Sequence, residues 1–166
     1  MAEERFTEQA QEVLAASQEV VRRYHHNQWD VEHILLALLE QKDGLAAKIL
    51  KELGVDDEAV KQQVVSVLEN APKIAYEGAQ IYATPRTAPL LENAAAEADR
   101  LKDEFVSVEH LLIAIAAEQR GDAARILHSF GIDQEKIYRA LQDIRGGNRV
   151  TDRRADSRSV EPTSAL

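Results

Sequence analysis

Two Glu-His pairs are the first residues in the chain whose type and spacing could serve chemistry. Glu32 and His33 lie in Val-Glu-His-Ile-Leu-Leu-Ala-Leu, and Glu109 and His110 lie in Val-Glu-His-Leu-Leu-Ile-Ala-Ile. Two carboxylates can hydrolyse a bond when one acts as an acid and the other as a base. The sequence supplies no nucleophile, oxyanion site or metal to work with them, so we set hydrolysis aside. The glutamates are therefore candidates for binding; the alternative is that each carboxylate only stabilises the N-terminus of its helix through the helix dipole.

A metal site is the second chemistry to consider, because the chain has five histidines. His25 and His26 are adjacent and would point in different directions on a helix. His33 and His110 each stand alone, with no histidine four residues later. Zinc requires three or four convergent ligands. We therefore predict no metal and no other cofactor, and we expect His33 and His110 to be interior helix histidines bonded to main-chain or loop groups.

Nucleotide hydrolysis is the third chemistry to consider. The chain contains no Gly-x-x-x-x-Gly-Lys-(Ser/Thr) segment, the loop whose main-chain N–H groups cradle phosphates. We expect no ATPase activity and no other enzyme activity from this chain.

The elements that must position these residues come from an internal duplication. The Glu-His segment returns 77 residues later, and the same offset aligns Thr7 with Thr84 and Gly44 with Gly121 without a gap. So many matches on one diagonal indicate a tandem repeat.

Each copy predicts four short helices. In the first, Val13, Leu14, Val20 and Val21 follow spacings of three and four that make one buried face. Gly54 suits a helix end because glycine adopts the left-handed conformation easily. The predicted cap residues are Thr7, Asp30 and Asp56 in the first copy and Thr84, Ser107 and Asp133 in the second. Pro85 suits the first turn of the second copy's first helix.

The predicted fold is all-α, a pseudo-twofold duplication of a four-helix repeat in one compact domain, since copies this small bury their faces better against each other. The predicted boundaries are repeat one at 6–69, an inter-repeat loop at 70–83 and repeat two at 84–145. Beyond these, 146–166 is rich in glycine, serine and arginine and is predicted to be a flexible linker or tail.

Composition limits the partners. The 166 residues are 45% hydrophobic and carry a formal net charge of −9, which repels nucleic acid and anionic membranes. No run is long and apolar enough for a membrane span, and the acidic N-terminus does not resemble a secretory signal. With no cysteine, the chain is expected to be cytoplasmic.

Several of these segments resemble a known family. Arg5-Phe6-Thr7-Glu8-Gln9-Ala10, the doubled Glu-His segment, the Thr84-Pro85-Arg86 opening and the doubled Gly-x-Ala-Ala-x-Ile-Leu are similar to the N-terminal domain of Clp-type AAA+ chaperones. The resemblance covers residues 1–145, and 144–152 looks like the linker of ClpB-type disaggregases, so the chain is closer to the ClpB type than to the ClpC type.

The resemblance implies a module that captures unfolded or aggregated polypeptides, or adaptor proteins, for a hexameric AAA+ motor. The alternative is a stand-alone regulatory or adaptor protein that binds the Clp machine. In ClpC-type relatives, the glutamates matching Glu32 and Glu109 hold the guanidinium of phosphorylated arginine. Here Val31 and Val108 stand where that type usually has threonine, and valine cannot donate a hydrogen bond to phosphate. We expect general peptide capture instead.

Further binding residues follow from the same resemblance. In ClpB-type relatives, residues matching Thr7, Asp103 and Glu109 handle substrate; the alternatives are a helix cap for Thr7 and a solvated loop charge for Asp103. Thr84 is the repeat-two counterpart of Thr7 and has the same alternative.

An apolar groove between the repeats is predicted near Ile81 and Tyr82. The alternative is that these side chains, with Tyr76 and Trp29, pack into the core or the seam between repeats.

Overall fold

Eight helices carry the fold in a computed structural model that describes residues 5–75, 80–146 and 149–153. Repeat one contains α1 (Glu8–Arg23), α2 (Val31–Glu40), α3 (Leu45–Glu52) and α4 (Asp57–Asn70). Repeat two contains α5 (Thr87–Arg100), α6 (Val108–Ala117), α7 (Asp122–Ser129) and α8 (Gln134–Arg145). Two short strands, β1 (Gln28–Trp29) and β2 (Tyr82–Ala83), pair in parallel. The prediction of an all-α duplicated domain is confirmed.

The helix starts follow the predicted caps at five of six positions. Thr7, Asp30, Asp56, Ser107 and Asp133 are the N-cap residues of α1, α2, α4, α6 and α8. Thr7 Oγ1, for example, accepts a hydrogen bond from the main-chain N–H of Ala10 at 3.1 Å. Each such bond satisfies a donor that the first helical turn leaves open.

Thr84 does not cap a helix, which corrects the predicted start at Pro85. Helix α5 begins at Thr87, after a turn in which the Thr87 N–H donates to the Thr84 carbonyl at 3.1 Å. The Thr84 hydroxyl donates instead to Asp30 Oδ1 at 2.9 Å. The hydroxyl oxygen accepts from the N–H of Arg86 at 3.3 Å, so its main-chain partner lies in the turn before α5.

The two repeats exchange main-chain contacts around a pseudo-twofold axis. The Thr7 N–H donates to the Val106 carbonyl at 2.9 Å, and the Thr84 N–H donates to the Trp29 carbonyl at 3.0 Å. Shifting each residue of the first pair by 77 positions, forward for Thr7 and backward for Val106, yields the second pair. The segment before the first helix of each repeat therefore pairs with the loop before the second helix of the other.

Helices α2 and α6 form the centre of the domain. Every residue from Val31 to Leu39 and from Val108 to Ala116 is buried. A helix that is apolar on all sides must be covered on all sides, and α2 and α6 contact each other while α1 and α5 cover them. The repeats share one hydrophobic core, as their small size predicted.

Residues 149–153 lie against this core, although the sequence predicts a flexible tail from 146. The Val150 side chain is 1% exposed, and its carbonyl accepts from the Glu104 N–H at 2.8 Å. The Arg153 carbonyl accepts from the Glu8 N–H at 2.8 Å. This polar segment is held by one buried aliphatic side chain and by main-chain hydrogen bonds. Average composition cannot predict either contact.

Within the residues that the structure describes, no helix is long and apolar enough to cross a membrane.

Candidate functional site

The structure separates the seven predicted binding residues by exposure. Four are buried, one is exposed and two are half-buried. The buried residues are Thr7, Glu32, Asp103 and Glu109; the exposed one is Tyr82, at 56%; the half-buried ones are Ile81 and Thr84. Thr84 bonds Asp30, which shares Arg86 with Glu32. Asp103 and Glu109 meet through Arg145, and Tyr82 pairs with β1, with Ile81 directly before it.

Asp103 is the hub of a buried network, and this corrects the alternative of a solvated loop charge. Its Oδ2 accepts from His110 Nε2–H at 2.7 Å, and its Oδ1 accepts from the Val150 N–H at 2.8 Å and from Arg145 Nη2. Lys102 has a positive φ of 62°, a left-handed turn that precedes the inward-facing Asp103.

The network keeps Asp103 ionised inside the domain. Burial opposes ionisation, but the hydrogen bonds from His110 and the Val150 N–H and the charge of Arg145 outweigh it. The pKa of Asp103 is therefore held below its usual value. Arg145 also donates through Nη1 to Glu109 Oε2 at 3.3 Å, so one guanidinium joins the two predicted carboxylates.

His110 and His33 occupy the helix interior, as the sequence predicts. His110 Nδ1 accepts from the Ser107 N–H at 2.8 Å, and His33 Nδ1 accepts from the Asp30 N–H at 3.0 Å. Because each Nδ1 accepts, each neutral ring carries its proton on Nε2.

The Nε2 partners of these histidines differ between the repeats. In repeat two, the partner of His110 is Asp103. In repeat one, His33 Nε2–H donates to Nδ1 of His26, the counterpart of Asp103, at 2.9 Å. His26 Nε2–H donates in turn to the Leu68 carbonyl at 3.1 Å. Burial of the ring, followed by the proximity of His26, lowers the pKa of His33 to about 4, and burial also lowers the pKa of His26. Both rings are therefore neutral at pH 7.

Glu32 is held by a cation from the other repeat. Arg86 donates through Nη1 to Glu32 Oε1 at 3.2 Å and through Nη2 to Oε2 at 3.1 Å. The Ala123 N–H, in the first turn of α7, donates to Oε2 at 2.9 Å. Arg86 also contacts Glu118 at 2.7 Å and Asp30 at 3.3 Å. One guanidinium thus serves three carboxylates.

The same contacts set the charge state of Arg86. Burial alone would lower the pKa of Arg86, but the hydrogen bonds to Glu118 and Glu32 and the charges of Glu32 and Asp30 raise it above its already high value. Arg86 is a permanent cation between the repeats.

A crevice of about 400 Å³ opens beside Glu32, and we call it the repeat-one crevice. Its lining residues are His26, Asn27, Gln28, Asp30, Glu32, His33, Val67, Leu68, Ala71, Pro72 and Asp122. The described residues that line it include three carboxylates and no lysine or arginine; Arg86 pairs with Asp30 and Glu32, and Arg125 pairs with Asp122. A more open depression of about 790 Å³, between Asp43 and Asp57, contains none of the predicted binding residues. Over the described ranges, no group of three or more acidic, histidine or cysteine residues could hold a metal ion.

Comparison with known proteins identifies the family to which this fold belongs. The family model of the Clp repeat (R) N-terminal domain matches residues 5–146. The chain belongs to this family.

The curated relatives of this Clp N-domain are proteins of much greater length. It is 35% identical over 154 residues to the chaperone protein ClpB of Bacillus cereus, covering 91% of this chain and 18% of the relative. It is 41% identical over 148 residues to ClpB 1 of Synechocystis, covering 89% and 16%. It is 35% identical over 162 residues to the negative regulator of genetic competence ClpC/MecB of Bacillus subtilis, covering 98% and 20%. The chain spans about a fifth of these relatives.

Solved structures share the fold at low sequence identity. The Hsp104 N-terminal domain from Candida albicans superposes with a TM-score of 0.79 at 20% identity, covering 91% of this chain and 98% of that one. The N-terminal domain of the ClpV1 ATPase from E. coli superposes with a TM-score of 0.71 at 21% identity, covering 92% and 91%.

The binding residues predicted from sequence for this Clp N-domain did not include Arg86, Arg145 or Val150. Arg86 and Arg145 lie in segments that resemble the family. The sequence therefore indicated these segments but not the contacts that the two side chains make. One sequence signal could have indicated the His26–His33 pair. The 77-residue offset aligns His26 with Asp103, and Asp103 is the partner of His110, the counterpart of His33.

The aromatic residues of the predicted groove divide between core and surface. Trp29 is half-buried, packs against the hydrophobic core and donates through Nε1 to Ser17 Oγ of the same repeat at 2.7 Å. Tyr82 is the one large hydrophobic side chain that is exposed in the described part of the chain. Tyr76 lies outside the described residues.

Proposed function

We propose that this Clp N-domain is a non-catalytic binding module that captures unfolded or aggregated polypeptides, or adaptor proteins, for a hexameric Clp AAA+ disaggregase or unfoldase. Its membership in the Clp N-domain family and its likeness to ClpB and ClpC relatives support this proposal. The observation that carries it is the exposed Tyr82 on β2, which pairs with β1 at the edge of the acid-lined repeat-one crevice.

The surface chemistry favours chains that are both basic and apolar. Tyr82 offers a flat amphipathic ring, the kind of side chain that anchors protein contacts at low entropy cost. The crevice beside β1 is lined by Asp30, Glu32 and Asp122, and the chain carries a net charge of −9. Exposed segments of misfolded proteins present apolar groups, and those with lysine or arginine nearby are attracted to this surface.

The predicted binding residues take different parts in this proposal. Ile81, Tyr82 and Thr84 form the contact surface along β2 and its turn. Glu32 contributes negative charge next to them. Affinity is expected to be modest, because an unfolded partner loses conformational freedom on binding.

Thr7, Asp103 and Glu109 act from the interior in the same proposal. They are buried, and Arg145 already engages both carboxylates, so we assign them to holding the repeat-two side in shape. Their substitution would weaken capture through the surface that they support.

A titration tests this function. The labelled 166-residue chain is titrated with a permanently unfolded, casein-like polypeptide, and binding is compared for wild type, Tyr82→Ala and the control Glu92→Ala on the exposed face of α5. We expect saturable binding that Tyr82→Ala weakens about tenfold or more and Glu92→Ala leaves unchanged, as for an aromatic contact residue. Absence of binding by the folded wild type would overturn the proposal.

A further inference from the structure

The loops before α2 and α6 are counterparts, but among the described residues their main-chain N–H groups find different partners. We call 25–28 the repeat-one loop and 102–105 the repeat-two loop; the 77-residue offset aligns them. The repeat-two loop binds Val150: the Glu104 N–H donates to its carbonyl at 2.8 Å, and the Val150 N–H donates to Asp103 Oδ1 at 2.8 Å.

The repeat-one loop lacks the corresponding partner. Among the residues that the structure describes, none accepts a hydrogen bond from the main-chain N–H of Asn27 or Gln28, the counterparts of Glu104 and Phe105. Both residues line the repeat-one crevice. The neighbouring segments bond carbonyls of this loop and leave these N–H groups open: the Ile74 N–H donates to the His25 carbonyl at 2.8 Å, and the Tyr82 N–H donates to the Asn27 carbonyl at 2.9 Å.

Two substitutions between the copies explain the space. The counterpart of Arg145 is Leu68, and the counterpart of Asp103 is His26. In repeat two, the Arg145 guanidinium reaches between Asp103 and Glu109 and occupies the interior. In repeat one, the shorter Leu68 leaves about 400 Å³ open beside His26 and Glu32. The repeats therefore present one filled cleft and one open cleft.

We propose that the repeat-one crevice receives an extended polypeptide segment of the same kind as residues 149–153, with a β-branched aliphatic residue flanked by arginine or lysine. This inference rests on the proposed function and names its substrate class. A main-chain carbonyl of the bound segment accepts from the N–H groups of Asn27 and Gln28. In repeat two, the Val150 carbonyl accepts in the same way from the N–H groups of Glu104 and Phe105. Its aliphatic side chain packs on Val67, Ala71 and Pro72.

The chemistry of the walls selects this occupant. Main-chain bonds to an extended segment give affinity for any sequence, and the pockets for its side chains give specificity. The apolar side of the crevice is lined by small and medium-sized side chains, including Val67, Ala71 and Pro72, and suits a short branched side chain. Basic flanking residues are favoured because the single charge of Arg86 meets three carboxylates, Asp30, Glu32 and Glu118, which leaves a net negative charge beside the crevice.

The test uses the chain's own segment as a free probe. A blocked hexapeptide Asn-Arg-Val-Thr-Asp-Arg, the sequence of residues 148–153, is titrated into the labelled 166-residue chain and followed by amide chemical shifts. We expect shifts at Asn27, Gln28 and Val67. Replacing the peptide's valine by glycine, or both of its arginines by glutamate, should weaken binding at least about tenfold.

A matched pair of variants locates the site. Val67→Lys places a long side chain in the crevice, while Ser66→Lys adds the same charge on the exposed face of α4. We expect Val67→Lys to lose peptide binding and Ser66→Lys to keep it. If Val67→Lys does not fold, Ala71→Arg at the end of α4 carries the same comparison.

The outcomes separate this inference from the proposed function. Peptide shifts at Glu104 and Phe105 instead of Asn27 and Gln28 would show exchange with residues 149–153 and overturn the inference. So would unchanged binding in both crevice variants. Casein-like polypeptide that still binds in either case leaves the proposed function standing, whereas its failure to bind wild type removes both.

Discussion

Arg86 of repeat two donates two hydrogen bonds, of 3.2 and 3.1 Å, to Glu32 of repeat one, which lies 54 positions earlier in the sequence. The pair fastens the first turn of α2 to the approach to α5, and Glu32 also accepts from the Ala123 N–H of α7 at 2.9 Å. A residue that the sequence marked for an external basic group thus already has an internal one, and the two copies are joined through it.

Removing Arg86 should destabilise the domain strongly. Arg86→Ala leaves Asp30, Glu32 and Glu118 without their shared cation, and we expect a loss of about 2–3 kcal/mol in the free energy of unfolding, somewhat below the cost for fully buried pairs. Urea denaturation measures it. The control is Arg125→Ala, whose side chain is 60% exposed and, within the described part of the chain, forms its ion pair with Asp122 in the preceding turn. The control should cost less than about 1 kcal/mol, and equal losses for both variants would contradict the role of Arg86.

Gly121 should tolerate no side chain, because Arg86 lies against it. Gly121 has a φ of +95°, and a Cβ added there would collide with the Nη2 of Arg86 and lie 2.6 Å from its Cζ. Gly121→Ala should therefore cost well over 2 kcal/mol, through backbone strain and displacement of the guanidinium.

The matched control for Gly121 is Gly54→Ala. Gly54 has a φ of +74° but nothing within 4 Å of an added Cβ, so this variant should show only the strain of about 1–2 kcal/mol. Thermal or urea unfolding of both variants gives the comparison. Similar losses for the two glycines would mean that the contact with Arg86 contributes little.

Stability should decrease as the pH falls through the histidine range. The folded pKa of His33 is about 4 against an ordinary 6.5, so the unfolded chain binds the proton more readily. The loss begins below about pH 6.5 and grows until about pH 4, reaching about 2 kcal/mol at pH 5 from His33. His26, whose pKa is also lowered, adds to it.

Urea unfolding at pH 7 and pH 5 measures this loss. The His33→Gln variant is the comparison, because it removes the buried ring that must stay neutral. Its stability should change less between the two pH values than that of wild type. An equal change in both proteins would show that other groups carry the pH dependence.

Asp103 should control whether residues 149–153 stay on the domain. Asp103→Asn removes the charge that Arg145 and the Val150 N–H meet, and we expect a loss of about 3 kcal/mol with faster hydrogen exchange at Val150 and Glu104. Asp99→Asn is the control, since Asp99 is 67% exposed and pairs only with Arg5. Unchanged exchange at Val150 in the Asp103 variant would show that other contacts hold the segment.

The family and the helical plan were readable from sequence because they depend on local patterns. The 77-residue offset revealed the duplication, and caps such as Asp30 and Asp133 marked helix starts, since a cap bonds residues at most three positions away. The apolar runs after Glu32 and Glu109 predicted helices covered on all sides.

Only the tertiary structure decided how the predicted binding residues are used. Arg86 reaches Glu32 across 54 positions, Arg145 reaches Glu109 across 36, and Val150 reaches Asp103 across 47. Such partners depend on how two copies pack around a pseudo-twofold axis, and no local pattern encodes that packing. The same packing joins the Thr84 hydroxyl to Asp30 of the other repeat. The repeat-one crevice is open because one copy carries Leu68 where the other carries Arg145.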